Sequence, residues 1–203
     1  MFTSGPPWTI RTICVTRAIA TRTARTRYQV RATASRGVLT PGDANVSPVT
    51  RVRRFGPDDW ELAREVRLAS LRDAFGEASE FFREQAGLAE AAWRKVLTEH
   101  VRFGAHLGGT PAGTVGWRRT GDDDGLLYGM WVRPDARGTG LATELVDAVV
   151  AVAREHGSRS LTLKVEPDNA RARAFYTRTG FRESGDGDGP GLVLMSLDLG
   201  AAR

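Results

Sequence analysis

The sequence predicts an α/β fold, a mixed sheet with helices on both faces. Two observations carry that prediction. Between residues 50 and 199, short alternating or continuously apolar segments are interleaved with segments whose apolar residues recur at helical spacing. From Leu126 to Gly157, a strand, a glycine turn and a helix follow one another directly. The predicted order is β-α-α-β-β-β-α-β-α-β-β.

Residues 50–55 (TRVRRF) alternate and form the first strand. Pro57, Asp58 and Asp59 start a helix, their acids favouring the positive end of its dipole. Trp60, Leu62, Val66, Leu68 and Leu71 carry it to about Ala74. Residues 75–86, with adjacent Phe81 and Phe82, read as an irregular connection. A second helix covers 88–100, with Leu88, Ala91, Ala92, Val96 and Leu97 inward and Trp93 nearby. Strands at 101–107 and 112–118 flank a hairpin-like break, Gly108 to Pro111, and GDDDG at 121–125 turns into the next strand.

Residues 126–132 are short, apolar and rich in aromatic and β-branched types, as a buried strand is. Leu141, Leu145, Ala148, Val149 and Val152 share one face of a helix that Gly157 ends. Residues 160–165 (SLTLKV) alternate as a strand. Residues 169–179 form the last helix, capped by Asn169, with Ala172 and Phe175 inward and Gly180 at its end. Residues 192–197 close the sheet, and SGDGDGP at 184–190 is expected as a loop.

The strand–turn–helix unit is suited to an anion. The first N–H groups of a helix have no intrahelical acceptor, and its dipole places partial positive charge there. Gly138 and Gly140 clear side chains from the approach, and Arg137 adds a cation. The alternative is a glycine turn serving backbone geometry alone. The nucleotide-hydrolase loop G-x-x-x-x-G-K-[ST] does not occur. A dinucleotide fingerprint needs a third glycine where Thr143 stands.

Arg137, Gly140 and Ala142 instead match the R/Q-x-x-G-x-G/A turn of the GNAT superfamily of acyl-CoA-dependent N-acetyltransferases, which the chain resembles. About thirty residues on, Asn169, Ala172, Phe175, Tyr176, Gly180 and Phe181 match that family's N-x-x-A-x-x-[LF]-Y-x-x-x-G-F. The resemblance covers roughly residues 50–199. It implies an α+β sandwich around a mostly antiparallel sheet of about seven strands, and acetyl-CoA as co-substrate.

By that resemblance, backbone at Met130, Trp131 and Val132 pairs with the pantetheine arm and polarises the thioester. Arg137, Gly138, Thr139, Gly140, Leu141 and Ala142 grip the diphosphate. Acyl transfer needs a neutral amine, a polarised carbonyl and a stabilised leaving thiolate. Tyr176 is the candidate acid for that thiolate, or a core tyrosine. Asn169 bonds the pantetheine or the chain that follows the strand, or merely caps its helix, and these roles are compatible. Glu166 is either a base acting through water or a surface carboxylate. Arg171 and Arg173 approach the 3′-phosphate or are ordinary exposed charges. Trp117, Tyr128, Trp131, Phe81 and Phe82 line an acceptor pocket or the core. The acids of 75–86 and 184–190 hint at a cationic acceptor, and a non-catalytic acyl-CoA-binding module is the rival reading.

Composition narrows the rest. Cys14 is the only cysteine, and His100, His106 and His156 lack ligand spacing, so neither a disulfide framework nor a metal is expected. Residues 1–50 hold seven arginines against Asp43, a charge of +6, so residues 51–203 sum to −1 of the total +5. The pI near 10.1 therefore says nothing of a DNA-binding face on the folded part. Two units follow: a basic extension at 1–48, and an acetyltransferase domain at 49–200. The extension reads as a disordered arm, as a transit peptide, or as translated upstream sequence with the true start near Val38 or Val46. An arm that binds nucleic acid is a further rival. The expected partner is a small-molecule or peptide amine, with no nucleic acid and no membrane. The expected setting is cytoplasmic, as monomer or homodimer.

Overall fold

The structure is a computed structural model that describes residues 52–186 and 191–200. The expectations for the N-terminal extension, and for residues 187–190 of the 184–190 loop, lie outside the described residues. Seven strands form one sheet: β1 (Val52–Phe55), β2 (Val101–Leu107), β3 (Thr110–Arg119), β4 (Asp124–Val132), β5 (Ser160–Val165), β6 (Arg182–Asp186) and β7 (Val193–Asp198). Their order is β1-β2-β3-β4-β5-β7-β6. Only β4 and β5 run parallel; every other pair is antiparallel. Among the described residues there are also five α-helices: α1 (Trp60–Phe75), α2 (Glu80–Ala86), α3 (Glu90–Glu99), α4 (Leu141–Glu155) and α5 (Ala170–Arg178).

The strands alternate as their sequences require, so the sheet buries both faces. One face packs on α4 and holds Val115, Leu127, Met130, Val132, Leu141, Leu145 and Val149. The other packs on α1 and α3 and holds Phe55, Ala63, Val66, Leu97 and Trp131. Fully burying one such aliphatic side chain contributes about 1.5–3 kcal/mol.

Two features of β4 shape the site. Its parallel pairing with β5 is confined to Asp124, Gly125 and Leu126 against Ser160, Leu161 and Thr162. From Leu127 onward the two strands part. A bulge also interrupts β3–β4 pairing between Thr114 and Gly116, opposite Gly129 at φ 60°. That left-handed conformation favours glycine, and the bulge turns the last residues of β4 towards the opening.

Three expectations are corrected. Residues 75–86 contain α2, with Ser79 Oγ accepting from the Phe82 amide at 3.2 Å. This helix is 7 residues long and buries none of them, so it carries no apolar periodicity to read. Ala91 is exposed, and α3 buries Trp93 beside the expected Leu97, because a large side chain removes more apolar surface from water than an alanine does. Residues 184–186, expected as loop, belong to β6, an edge strand pairing with β7 through a bulge at Glu183/Gly185. Gly185, at φ 144°, accommodates that bulge despite its loop-like composition.

Candidate active site

Where β4 and β5 part, a cleft of about 610 Å³ opens. Met130, Trp131 and Val132 form one wall, and Gly138, Gly140, Ala142 and Thr143 form one end. Asn169, Arg171, Ala172, Phe175, Tyr176 and Arg178 of the α5 segment lie opposite, and Asp73 and Ala74 reach in from the end of α1. Motif residues some forty positions apart thus meet at one opening.

The end of the cleft is a helix N-terminus. Gly138 (φ 85°) and Gly140 (φ 88°) both lie in the left-handed region. The first turn of α4 begins with the Thr143 and Glu144 amides donating to the Gly140 carbonyl, at 2.9 and 3.2 Å. The amides just before them have no acceptor inside the helix and concentrate partial positive charge at the opening. Thr139 steadies the turn, its Oγ1 donating to the Ala136 carbonyl at 2.8 Å. Leu141 is fully buried in the core and anchors the helix start by packing.

Arg137 is held on both sides. Its Nε donates to the Val132 carbonyl at 2.9 Å, and its Nη2 lies 3.2 Å from Asp73 Oδ2. The same carboxylate oxygen accepts from Trp131 Nε1 at 2.9 Å. Asp73 therefore ties α1 to the wall and to the glycine turn at once. No motif marks it. Its one signal in the sequence is an acid in the last turn of a helix, where the dipole disfavours negative charge. Thr143 and Arg178 line the cleft likewise without a motif that marks them for it.

Asn169 reconciles its two readings. It is 3% exposed, and its Oδ1 accepts from the Ala172 amide at 3.0 Å, capping α5. Its Nδ2 is buried with no hydrogen-bond partner among the described residues, yet the residue lines the cleft. A donor so placed suits a ligand carbonyl. Tyr176 is fully buried, with its ring against Phe181 (centroids 5.6 Å apart) and Phe175 (5.3 Å), and it lines the cleft as well.

Other expected residues sit elsewhere. Glu166 follows β5, half-buried, and is not among the cleft-lining residues. Arg173 is engaged by Glu183 at 2.6 Å, which leaves Arg171 as the member of that pair at the cleft. Trp117 belongs to the α4-face core, its ring tilted against that of His156 with centroids 4.8 Å apart. Phe81 packs on Phe75 at 5.5 Å, and the Arg72 guanidinium covers Phe82, away from the cleft lining. Among the described residues no group of His, Cys, Asp and Glu is placed to hold a metal, and no helix is long and apolar enough to cross a membrane.

Comparison with known proteins gives the same outline. The chain is 41% identical over 71 residues to a 5-NmdU N-acetyltransferase of Pseudomonas phage PaMx11, covering 34% of this chain and 49% of the relative. It is 33% identical over 102 residues to an uncharacterized N-acetyltransferase of Mycobacterium tuberculosis, covering 49% and 65%. It is 33% identical over 141 residues to a mycothiol acetyltransferase of Amycolatopsis mediterranei, covering 68% and 42%. The chain thus spans between about two fifths and two thirds of the length of these relatives.

Among solved structures, the PaiA N-acetyltransferase of Thermoplasma acidophilum, in complex with coenzyme A, superposes with a TM-score of 0.60 at 16% identity, over 72% of this chain and 97% of that one. The ribosomal-protein-S18-alanine N-acetyltransferase of Escherichia coli gives 0.53 at 20% identity, over 75% and 95%. At such identities the likeness establishes the fold. The model of the acetyltransferase (GNAT) family matches residues 68–181, more than half of the chain and every wall of the cleft, and on that match the chain belongs to the GNAT family.

Proposed function

We propose that the chain transfers an acetyl group from acetyl-CoA to a primary amine, directly and within a ternary complex. The observation that carries this reading is the continuity of the cleft. It runs from the glycine turn and α4 N-terminus, past the unpaired side of β4, to the buried hydroxyl-bearing ring of Tyr176. A diphosphate meets the amides of residues 137–142. The pantetheine arm lies along Met130, Trp131 and Val132 in the place of a missing strand, with Asn169 Nδ2 as a donor beside it. A β4 amide polarises the thioester carbonyl as the amine attacks. The C–S bond then breaks, and Tyr176 hands its proton to the departing thiolate. Glu166 stands outside the cleft lining, so a proton it takes from the attacking amine passes through water. Arg171 faces the 3′-phosphate.

The unit that does this is the acetyltransferase domain at 49–200. A second reading, an acyl-CoA-binding module without turnover, draws on one observation. Among the described residues Asp73 is the one carboxylate in the cleft lining, and Trp131 and Arg137 already engage it. Release of free thiol from acetyl-CoA across a panel of amines separates the two readings. Amine-dependent release supports transfer. Thermal stabilisation by coenzyme A with no release on any amine supports the binding module. No stabilisation and no release removes both.

A further inference from the structure

A second constellation lies on the α1 face, beyond the cleft lining. Arg102 of β2 is 6% exposed, and its Nε and Nη1 have no hydrogen-bond partner among the described residues. In register across the sheet it faces Gly116 of β3, which in turn faces Tyr128 of β4. A Cβ at Gly116 would stand 2.6 Å from the Tyr128 ring, so that glycine makes room for the ring against the sheet. The Arg102 guanidinium carbon then lies 5.3 Å from the ring centroid. Arg67 comes from α1 to meet it. A Cβ built on Gly129 would lie 3.7 Å from Arg67 Nη1 and 3.7 Å from Arg102 Nη1. The two cations thus converge on the β4 bulge, with their Nη1 atoms no farther apart than twice that distance.

Among the described residues no carboxylate pairs with either arginine. Burial, with the Arg102 charge added, pushes the Arg67 guanidinium down to about 10. Two like charges brought together without a counter-charge are unfavourable, and the more so for Arg102, which is buried. Structural ion pairs do not look like this, because they bring their own acid. Arg67, Tyr128 and His100 each keep part of their surface in solvent, beside the buried Arg102. Gly129 directly precedes Met130 on the cleft wall, so a ligand reaching the arginines remains next to the proposed thioester position.

We propose that Arg67 and Arg102 bind an anionic group, carboxylate or phosphate, on the acceptor itself. The acceptor is then an amine that carries a negative charge close to its nucleophilic nitrogen. Paired guanidinium forks match the geometry of such oxyanions. Tyr128 Oη, 2.8 Å from His100 Nδ1, supplies a further hydroxyl at the same wall. This inference rests on the acetyl-transfer reading, and it reverses the cationic acceptor suggested by the acids of 75–86 and 184–190.

The test uses the full chain, Arg102→Met and Arg67→Met. Inorganic phosphate and acetate are titrated calorimetrically without acetyl-CoA. Acetyl transfer is measured on two pairs of amines, O-phosphoethanolamine against ethanolamine and glycine against glycinamide. One anion is expected to bind the parent chain and to weaken at least tenfold in either variant. The matching anionic amine should exceed its neutral partner at least tenfold in kcat/KM, and the variants should lose that preference while keeping KM for acetyl-CoA. The favoured pair tells phosphate from carboxylate. Both variants should melt no lower than the parent, since each removes an unpartnered charge. Anion binding that survives in both variants resides at the α4 N-terminus and overturns the assignment, as does a preference for the neutral amines. Arginine-dependent anion binding with no transfer to any amine supports the site and overturns the acetyl-transfer reading instead.

Discussion

The two faces of β4 differ in how their neighbours are assembled. On the α4 face, Met130 and Val132 continue directly into the glycine turn and α4, so one run of about thirty residues builds the wall, the anion-binding end and the core beneath them. On the α1 face, Trp131, Gly129 and Tyr128 meet Asp73, Arg67 and Arg102, which arrive from α1 and β2. The first arrangement is local and has a recognisable spacing. The second exists only after the sheet has closed. Chemistry shared by a whole family suits the first kind of construction, and recognition that varies between members suits the second.

That comparison can be broken most severely at Gly140. Its φ of 88° excludes a β-branched side chain without strain of about 1–3 kcal/mol. Gly140→Val is expected to abolish thermal stabilisation by coenzyme A and to bring turnover below detection. Stabilisation equal to the parent's would mean that the local run does not form the anion site. Next in size is Tyr176→Phe, which keeps the ring contacts with Phe175 and Phe181. A proton donor contributes about 10²-fold or more, so kcat should fall by about that factor with KM for acetyl-CoA unchanged. An unaltered kcat would return Tyr176 to a purely packing role.

A smaller effect is expected at Asp73, the link between the two faces. Asp73→Ala leaves Trp131 Nε1 without its acceptor, at a cost of about 1–3 kcal/mol, read as a lower Tm. It also frees Arg137, so KM for acetyl-CoA should rise. Asp73→Asn, which retains an accepting oxygen, should restore most of the Tm. Equal melting of all three proteins would detach Asp73 from the wall.

The smallest effect is a titration. Burial, then the charges of Arg102 and Arg118, hold the His100 imidazole below its ordinary 6.5, with Glu99 opposing them. The unfolded chain therefore takes up this proton more readily than the folded one. Stability is complete above pH 6.5 and declines as pH falls from there towards the folded value. Phosphate in the arginine site should move the His100 ring resonances to a higher midpoint. A midpoint at or above 6.5 in anion-free buffer would contradict the stated surroundings of that ring.

The uneven construction also explains what could be read from the chain. Apart from β6, whose residues RESGD are polar or glycine, the strands and α4 were legible because their apolar residues repeat, and the glycine turn because a left-handed helix start demands glycine at Gly140. Asn169 was legible as a cap, but its leftover Nδ2 donor appears only when the cleft surrounds it. Arg67 and Arg102 resemble any other basic residue in the sequence. What singles them out is enclosure without an acid, a property of the assembled sheet. Alpha-helix α2 escaped for the opposite reason, since it buries nothing and so leaves no pattern.

The short ladder between β4 and β5 has a mechanical consequence. Beyond Leu126 the sheet contains a seam in its own middle, where a strand normally finds a neighbour on each side. Arg137 closes part of that gap by taking the Val132 carbonyl, as a temporary rung would. A molecule built this way is least rigid along its central line when empty. Filling the seam should therefore slow amide hydrogen exchange on both flanks together, joining two half-sheets into one continuous body.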